Sequence, residues 1–516
     1  MPNSFDVHGR MLEDNELAAW LAEHSLGNRF GLAVQGTDPA HEPKAVALAI
    51  VAADGDGRCI HTATLTEDDE AALASWLGDP GPPKAVHDAK LVTRALARCG
   101  WTLRGVTSDT ASAAYLLRPE QPNLSLNELL VRHMRCALPV EAPEPQHFSS
   151  LENPSWLSEQ AVRALILVAC AVLDLADVLD EELARVDSSS LLSRMELPVL
   201  GALSEMEIAG IAVDRAGLTR IQNRLGGEVN AAALQGTVDG LLDSTASDGR
   251  IHPTFRRTQA ATGRISSSNL DLHDIPPRPC AGSNLRDVFV AGDGYAELMT
   301  ARYGEIEARV IAQLSDDAGL IGALDAGEDP YHALASHVFP LSTDGVTSQL
   351  RRRVELMSYE STAPVGAADH DFWRDLSEYL RGVVDDARRL GYCSTLLGRR
   401  HYLPDLDSDN RHVRETAERT ALSVLIGGSA ADIMKVAMIN VHRVIKDAGL
   451  KSRMLLQVGS ELVLEVTAGE RETLGAHLGE QMRGAYPLHA PLEVLIGYGS
   501  NWGVATHVAE NAARNS

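Results

Sequence analysis

The sequence predicts a multidomain chain that mixes helices and strands, and three observations carry that reading. Its 516 residues correspond to about two to four domains at roughly 100–200 residues each. Strand-like and helical stretches alternate through residues 28–117, an α/β pattern. Near residue 190 the stretch DSSSLLSRMELPVL places a Ser cap before a new helix, as at a domain junction.

Within 28–65, GLAV, KAVALAIVAA and RCIHTATL are β-prone runs separated by Asp, Gly and Pro turns. Helical patterns follow at 68–78, 89–99 and 108–117. Residues 137–156 are rich in Pro, Glu and Ser and read as a loop, and 158–186 as one long amphipathic helix with an acidic outer face. Residues 197–235 read as helical and 248–290 as loop-rich. MTARYGEIEARVIAQL begins as a strand and turns helical, and 365–392 and 411–448 are helical around the loop HYLPDLDSDN. MLLQV and LVLEV flank Gly459-Ser460 as a tight hairpin. A helix at 468–485 and a final strand, PLEVLIGYG, complete the pattern, with no internal repeat.

Hydrophobic residues at 45% and charged residues at 23% exclude collagen-like, low-complexity and wholly disordered classes. No apolar run approaches the roughly 18 residues of a membrane span. The first twenty residues lack a basic segment followed by an apolar core. The six cysteines are far apart with no CxxC spacing, which argues against a zinc ribbon or disulfide framework. A cytoplasmic protein with no membrane partner is the expectation. Lys and Arg number 46 against 71 Asp and Glu, a net charge of −25. Residues 1–190 hold 14 basic and 28 acidic side chains, against 32 and 43 in the remainder. The second part is thus less hostile to a polyanion, and the acidic first part suits a basic protein partner.

Five blocks carry a more specific signal: TFRRTQAATGRISSSNLDLHDIP (254–276), RYGEIEARVIAQLSDDAGLIGALDAGEDPYHALASHVF (302–339), GYCSTLLGRRHYLPDL (391–406), RETAERTALSVLIGGSAADIMKVAM (414–438) and MLLQVGSELVLEV (454–466). In order and spacing they resemble the polymerase domain of family A DNA polymerases, the DNA polymerase I group. AVHDAKLVTRALARCGWTLRGVTSDTASAAYLL (85–117) is similar to the 3′–5′ exonuclease domain that precedes it, as in the Klenow fragment. The resemblance implies an α+β multidomain fold. An RNase H-like, exonuclease-like α/β domain (1–190) comes first. A polymerase domain (191–516) follows, with a reduced thumb (about 197–250), a palm (about 251–310 and 430–516) and reduced fingers (about 311–425). It also places the hairpin 454–466 beside the strand leading into Glu307.

The chemistry the family performs needs two palm carboxylates to hold two metal ions. The family block D-Y-S-Q-I-E reads Arg302-Tyr303-Gly304-Glu305-Ile306-Glu307 here, so the first metal-binding Asp is Arg302. The family hairpin V-H-D-E reads Val458-Gly459-Ser460-Glu461, so the second is Ser460. In the nucleotide-binding helix Arg351 and Tyr359 match, but the triphosphate-binding Lys is Glu355 and the later Tyr-Gly is Ala363-Pro364. Tyr303 belongs with Arg351 and Tyr359 as a nucleotide-binding remnant. The Gln of Q-G-T-A-A-D is lost at Gly427. Only residues 215–249 separate GIAVD from RIHPTF, a shortened thumb. At the exonuclease positions stand Ala33 and Gln35, then Asp88 and Val92, then Leu165 and Ala169.

Arg264, Ser267, Arg399, Arg400 and Arg419 match family positions and are the expected nucleic-acid contacts. Internal pairing of the arginines competes with that role. His401 and His412 read as core or surface histidines, and the acidic runs 67–70 and 180–182 as solvated faces. No catalytic set is intact and no metal or other cofactor is expected. The leading reading is a pseudo-polymerase that binds primer–template DNA weakly, or a nucleotide. One alternative is an active DNA-directed DNA polymerase or other nucleotidyl transferase using Mg²⁺ through the residual carboxylates Glu305, Glu307 and Glu461. Another is a protein-interaction scaffold without nucleic-acid binding.

Overall fold

The computed structural model describes residues 8–25, 27–36, 43–121, 123–139, 158–225, 232–258, 260, 262–268, 275, 284–338, 347, 350–351, 354, 376 and 378–515. The chain divides into two compact units, Met1–Ser204 and Glu205–Ser516.

The first unit is built on a six-stranded sheet of β1 (His8–Met11), β2 (Phe30–Gly36), β3 (Ala45–Val51), β4 (Asp56–His61), β5 (Lys84–Val86) and β6 (Val106–Asp109), in the order β1-β4-β3-β2-β5-β6. β2, β3 and β4 pair antiparallel, and β1, β5 and β6 join in parallel. The 27-residue helix Glu159–Arg185 buries its apolar face on this sheet. Gly31 permits the approach, since a Cβ there would lie 2.1 Å from the Ala169 carbonyl oxygen. Ser158 caps that helix by accepting from Ala161 N at 3.2 Å.

In the two acidic runs Glu67, Asp68, Glu70 and Glu181 are exposed, as expected of solvated faces, and the exceptions are engaged within the protein. Asp69 is buried because it accepts from Asn15 N at 2.7 Å and Leu17 N at 3.1 Å, fixing the start of the helix Leu17–His24. Asp180 pairs with Arg29 and Glu182 with His133.

The second unit centres on a four-stranded antiparallel sheet, in the order β15-β16-β12-β17. Its strands are β12 (Glu297–Tyr303), β15 (Arg453–Val458), β16 (Glu461–Val466) and β17 (Val494–Gly499). The expected adjacency of the hairpin and the 299–307 stretch is therefore met, although that stretch leaves the sheet at Tyr303 and enters the helix Ile306–Ser315. Small antiparallel ladders surround it: β7 (Ile211–Val213) with β8 (Arg250–Ile251) and β11 (Phe289–Val290), β9 (Thr254–Arg256) with β10 (Ser266–Ser268), and β13 (Tyr392–Ser394) with β14 (Arg400–Tyr402).

The helix expected over 197–235 is interrupted by β7. The last strand is followed by a further helix, Trp502–Asn515. Of the helix expected over 365–392, residues up to 375 lie outside the described set, and Arg381–Leu390 is helical. Arg411–Asp447 is long and apolar enough to cross a membrane by length and composition, but its apolar window is 89% buried within the fold. A core helix has this profile.

Candidate functional site in the antiparallel sheet

The site is assembled at one end of β12. In the β12–β16 ladder Arg302 lies opposite Glu461, and Tyr303 N donates to Ser460 O at 3.1 Å. Gly459 takes the left-handed backbone (φ 59°) that a two-residue turn requires. Arg302 and Ser460, far apart in sequence, thus stand side by side. These are the two positions where the resemblance expects metal-binding aspartates.

The neighbouring carboxylates are engaged internally. Glu461 accepts from Arg286 Nη1 at 3.1 Å, Trp502 Nε1 at 3.3 Å and Thr506 Oγ1 at 3.1 Å. Glu307 lies 3.5 Å from Arg264 Nη2, and burial pushes its carboxyl up. Glu305 sits at the start of the helix Ile306–Ser315 with φ 40°, a strained backbone for a non-glycine residue. Burial raises its carboxyl as well; Arg302 and Arg309 oppose the rise, whereas Glu493 and Asp329 add to it. Among the described residues no group of three or more His, Cys, Asp or Glu side chains is placed to hold a metal ion. Mg²⁺ takes carboxylate oxygens in near-octahedral geometry. An arginine and a serine at the two central positions do not fit it.

The expected nucleic-acid residues separate into two groups. Arg264 keeps 30% of its side chain exposed. Arg419 is half-buried and donates to Thr416 Oγ1 at 3.3 Å. Arg400 stacks over Tyr392, 4.7 Å from the ring centre. Arg399 corrects its expectation. It is fully buried against Asp432, with Nε 3.0 Å and Nη2 2.8 Å from Oδ1, and Thr395 Oγ1 donates to Oδ2 of the same carboxylate at 2.8 Å. Ser267 is likewise buried, opposite Phe255.

Of the nucleotide-binding remnants, the two described residues, Tyr303 and Arg351, are each engaged within the protein. Tyr303 is buried and donates to Met482 O at 2.7 Å, so its hydroxyl is a tie between strand and helix. Arg351 forks onto Asp329, with Nε 2.9 Å from Oδ1 and Nη2 2.6 Å from Oδ2. Tyr359, Glu355, Ala363 and Pro364 lie outside the described residues. In the first unit, Ala33 and Gln35 lie on β2, which packs against the helix carrying Leu165 and Ala169. The acid among these positions, Asp88, caps the helix Ala89–Ala97 by accepting from Leu91 N at 3.3 Å. His401 is buried and His412 exposed.

Sequence reasoning missed Arg286, Gln457 and Glu493. Arg286 lies in a loop-rich stretch with no periodic signal, and only the fold brings it to Glu461. Gln457 lines a pocket under the β15–β16 turn together with Arg264, Ile265, Glu307, Met434 and Ser460.

A family model described as "DNA polymerase family A" matches residues 227–362 and 370–504, and one for the "DNA polymerase I, ribonuclease H-like domain" matches residues 36–139. DNA polymerase I of Mycobacterium tuberculosis is 46% identical over 98% of this chain and 65% of its own length. That of Geobacillus stearothermophilus is 30% identical over 95% of this chain and 65% of its own length. The chain therefore spans about 65% of the length of these curated relatives. Among solved structures, the POL domain of Pol1 from M. smegmatis, in complex with DNA primer–template and dNTP, is 49% identical with a TM-score of 0.86, covering 97% of this chain and all of that one.

Proposed function

This chain belongs to DNA polymerase family A, with an RNase H-like domain followed by a polymerase domain, and on that premise we propose that it is a non-catalytic member that holds primer–template DNA without extending it. The observation that carries the proposal is the placement of Arg302 and Ser460 at the same end of the β12–β16 ladder, with Arg302 opposite Glu461 and Tyr303 N donating to Ser460 O. Two-metal phosphoryl transfer needs oxygen ligands at that point to stabilise the attacking and leaving oxygens. A guanidinium there repels a divalent cation, and a neutral hydroxyl does not replace a carboxylate charge. The residual carboxylates do not compensate. Glu461 is consumed by Arg286, Trp502 and Thr506, and Glu307 faces Arg264.

DNA holding rests on Arg264 and Arg419, whose partly exposed side chains lie where a phosphate can approach. Such contacts position a duplex without reading its sequence. The likeness to a polymerase domain solved with primer–template supports the same reading.

The test is a fluorescence-anisotropy titration with a labelled primer–template at low salt, followed by Mg²⁺ and dNTPs and a gel for product. Binding that weakens steeply with salt, without extension, is the expected result. Mg²⁺-dependent extension above background refutes inactivity. Absence of binding at low salt refutes DNA holding.

A further inference from the structure

The antiparallel sheet of the second unit has two outer strands, β15 and β17, and they are finished differently. β15 is buried from Met454 to Val458. In β17, by contrast, Val494, Leu495, Ile496 and Gly499 are half-buried and Tyr498 is 42% exposed. Edge strands are ordinarily guarded by a charge, a proline or a bulge. The sequence VLIGYG has no charge and no proline, and its ladder with β12 runs from Val494 to Gly499 without a register shift.

Backbone alternation decides which groups face outward. Gly304 N donates to Glu493 O at 3.1 Å. Continuing that register makes Leu495, Gly497 and Gly499 the hydrogen-bonded partners of Arg302, Thr300 and Leu298. The N–H and C=O groups of Val494, Ile496 and Tyr498 therefore point away from β12, and among the described residues no strand meets them. The side chains alternate too. A Cβ at Gly497 would run into the Ala505 carbonyl oxygen, so the helix Trp502–Asn515 closes that face. Val494, Ile496 and Tyr498 share the other face, where the Arg471 guanidinium lies 4.2 Å over the Tyr498 ring.

We propose that β17 pairs antiparallel with β17 of a second copy of this chain, about a two-fold axis at Ile496, so that the sheet runs on through both copies. Val494 then lies opposite Tyr498 of the second copy, Ile496 opposite its own equivalent, and Tyr498 opposite Val494. Each pair exchanges two hydrogen bonds. All three side-chain pairs fall on one face and are aromatic or β-branched, the kind that stabilises a sheet. The contact is isologous, so it closes at two copies. Charge favours this occupant over an unrelated peptide. Glu493, with a side chain 46% exposed, precedes the strand, and Arg471, 49% exposed, stands at its far end. Antiparallel self-pairing brings the acidic end of each copy to the basic end of the other. The net charge of −25 sets the salt dependence: the copies repel at long range, and screening admits the contact. An edge of six residues is small beside the roughly 1,200–2,000 Å² of stable interfaces, so the dimer is a weak one.

The experiment is sedimentation velocity of the full chain without DNA, from about 1 to about 200 µM at low and high salt, a range that brackets a weak interface. A dimer fraction that rises with concentration and with salt is expected. Ile496→Lys and Ile496→Glu each set two like charges opposite one another at the axis, so each variant is expected to stay monomeric, and an equimolar mixture of the two to dimerise again. Hydrogen exchange on the parent reads the same contact without a substitution. Where half the chain is dimeric, the amides of Val494, Ile496 and Tyr498 are expected to exchange about twofold more slowly than in the monomer, while that of Leu495, already bonded to β12, is unchanged. A parent monomeric throughout overturns the proposal. So does a dimer that weakens with salt, or one that forms without protecting those three amides.

Discussion

Replacing Glu461 by Gln separates a structural carboxylate from a catalytic one. Glu461 is 5% exposed and accepts from Arg286, Trp502 and Thr506. Arg286 lies 4.2 Å over the Trp502 ring and is itself 7% exposed. Gln keeps the shape, but it removes the charge and turns an N–H₂ toward a donor. The guanidinium is then buried without a counter-ion. Breaking a buried pair in this way costs roughly 3–5 kcal/mol, whereas replacing both partners by apolar groups of similar volume is often near neutral. The assay is urea unfolding of Glu461→Gln, Arg286→Met and a Glu461→Leu/Arg286→Met double variant. The singles are expected to lose most of that range, and the double to recover much of it. A Glu461→Gln protein that unfolds with the parent, yet loses a Mg²⁺-dependent turnover the parent possesses, would refute the reasoning. It would return Glu461 to a metal-ligand role.

Three further outcomes are expected. Arg399→Ala should destabilise by roughly 3–5 kcal/mol in denaturant, because Asp432 is left charged and fully buried; a loss of DNA affinity at unchanged stability would instead make Arg399 a DNA contact. Glu307 has a folded-state pKa above its ordinary value. Its protonated form therefore stabilises the fold fully below about pH 4.3, and that contribution is lost as pH rises through the folded value. Glu307→Gln should therefore match the parent at acid pH and exceed it as pH rises through the folded value, read as the difference in urea midpoints; a constant difference contradicts the burial argument. Ser460→Asp alone should show no Mg²⁺-dependent thermal shift, whereas Arg302→Asp with Ser460→Asp should gain one, worth about 2.7 kcal/mol at a hundredfold excess over Kd. A shift in the Ser460→Asp variant alone would show that Arg302 does not guard the site.

The elements that position the site were legible because their signals are local. MLLQV and LVLEV are short apolar, β-prone runs around a Gly-Ser turn, and GEIEARVIAQL carries a helical period directly after a strand. That Arg302 and Ser460 are juxtaposed follows from register alone. What was not legible depends on distant partners. β1 is four residues without apolar alternation and exists because it pairs in parallel with β4. Asp69 reads as one of four solvated acids until the backbone of Asn15 and Leu17 is brought to it. Arg399 and Arg400 are adjacent and chemically identical in sequence. Arg399, just before β14, turns onto buried Asp432, whereas Arg400, the first residue of the strand, stacks on Tyr392. No local pattern distinguishes them.

In the proposed non-catalytic reading, the poor fit to a divalent cation is a property of charge balance rather than of one substitution. A site that concentrates two divalent cations needs carboxylates whose charge is not already matched by the protein. Around β12 the opposite holds: Glu461 faces Arg286, Glu307 faces Arg264, Asp329 faces Arg351, and Glu305 shares its surroundings with Arg302 and Arg309. A carboxylate added at position 460 joins this set by pairing with the adjacent arginine, and it contributes no net negative charge to a cation. Removing Arg302 at the same time leaves two unmatched carboxylates across one strand–turn contact, which is the smallest change that makes the sheet end attractive to Mg²⁺. Glu305 is the exception to this matching, since Glu493 and Asp329 push its carboxyl up beside the two arginines.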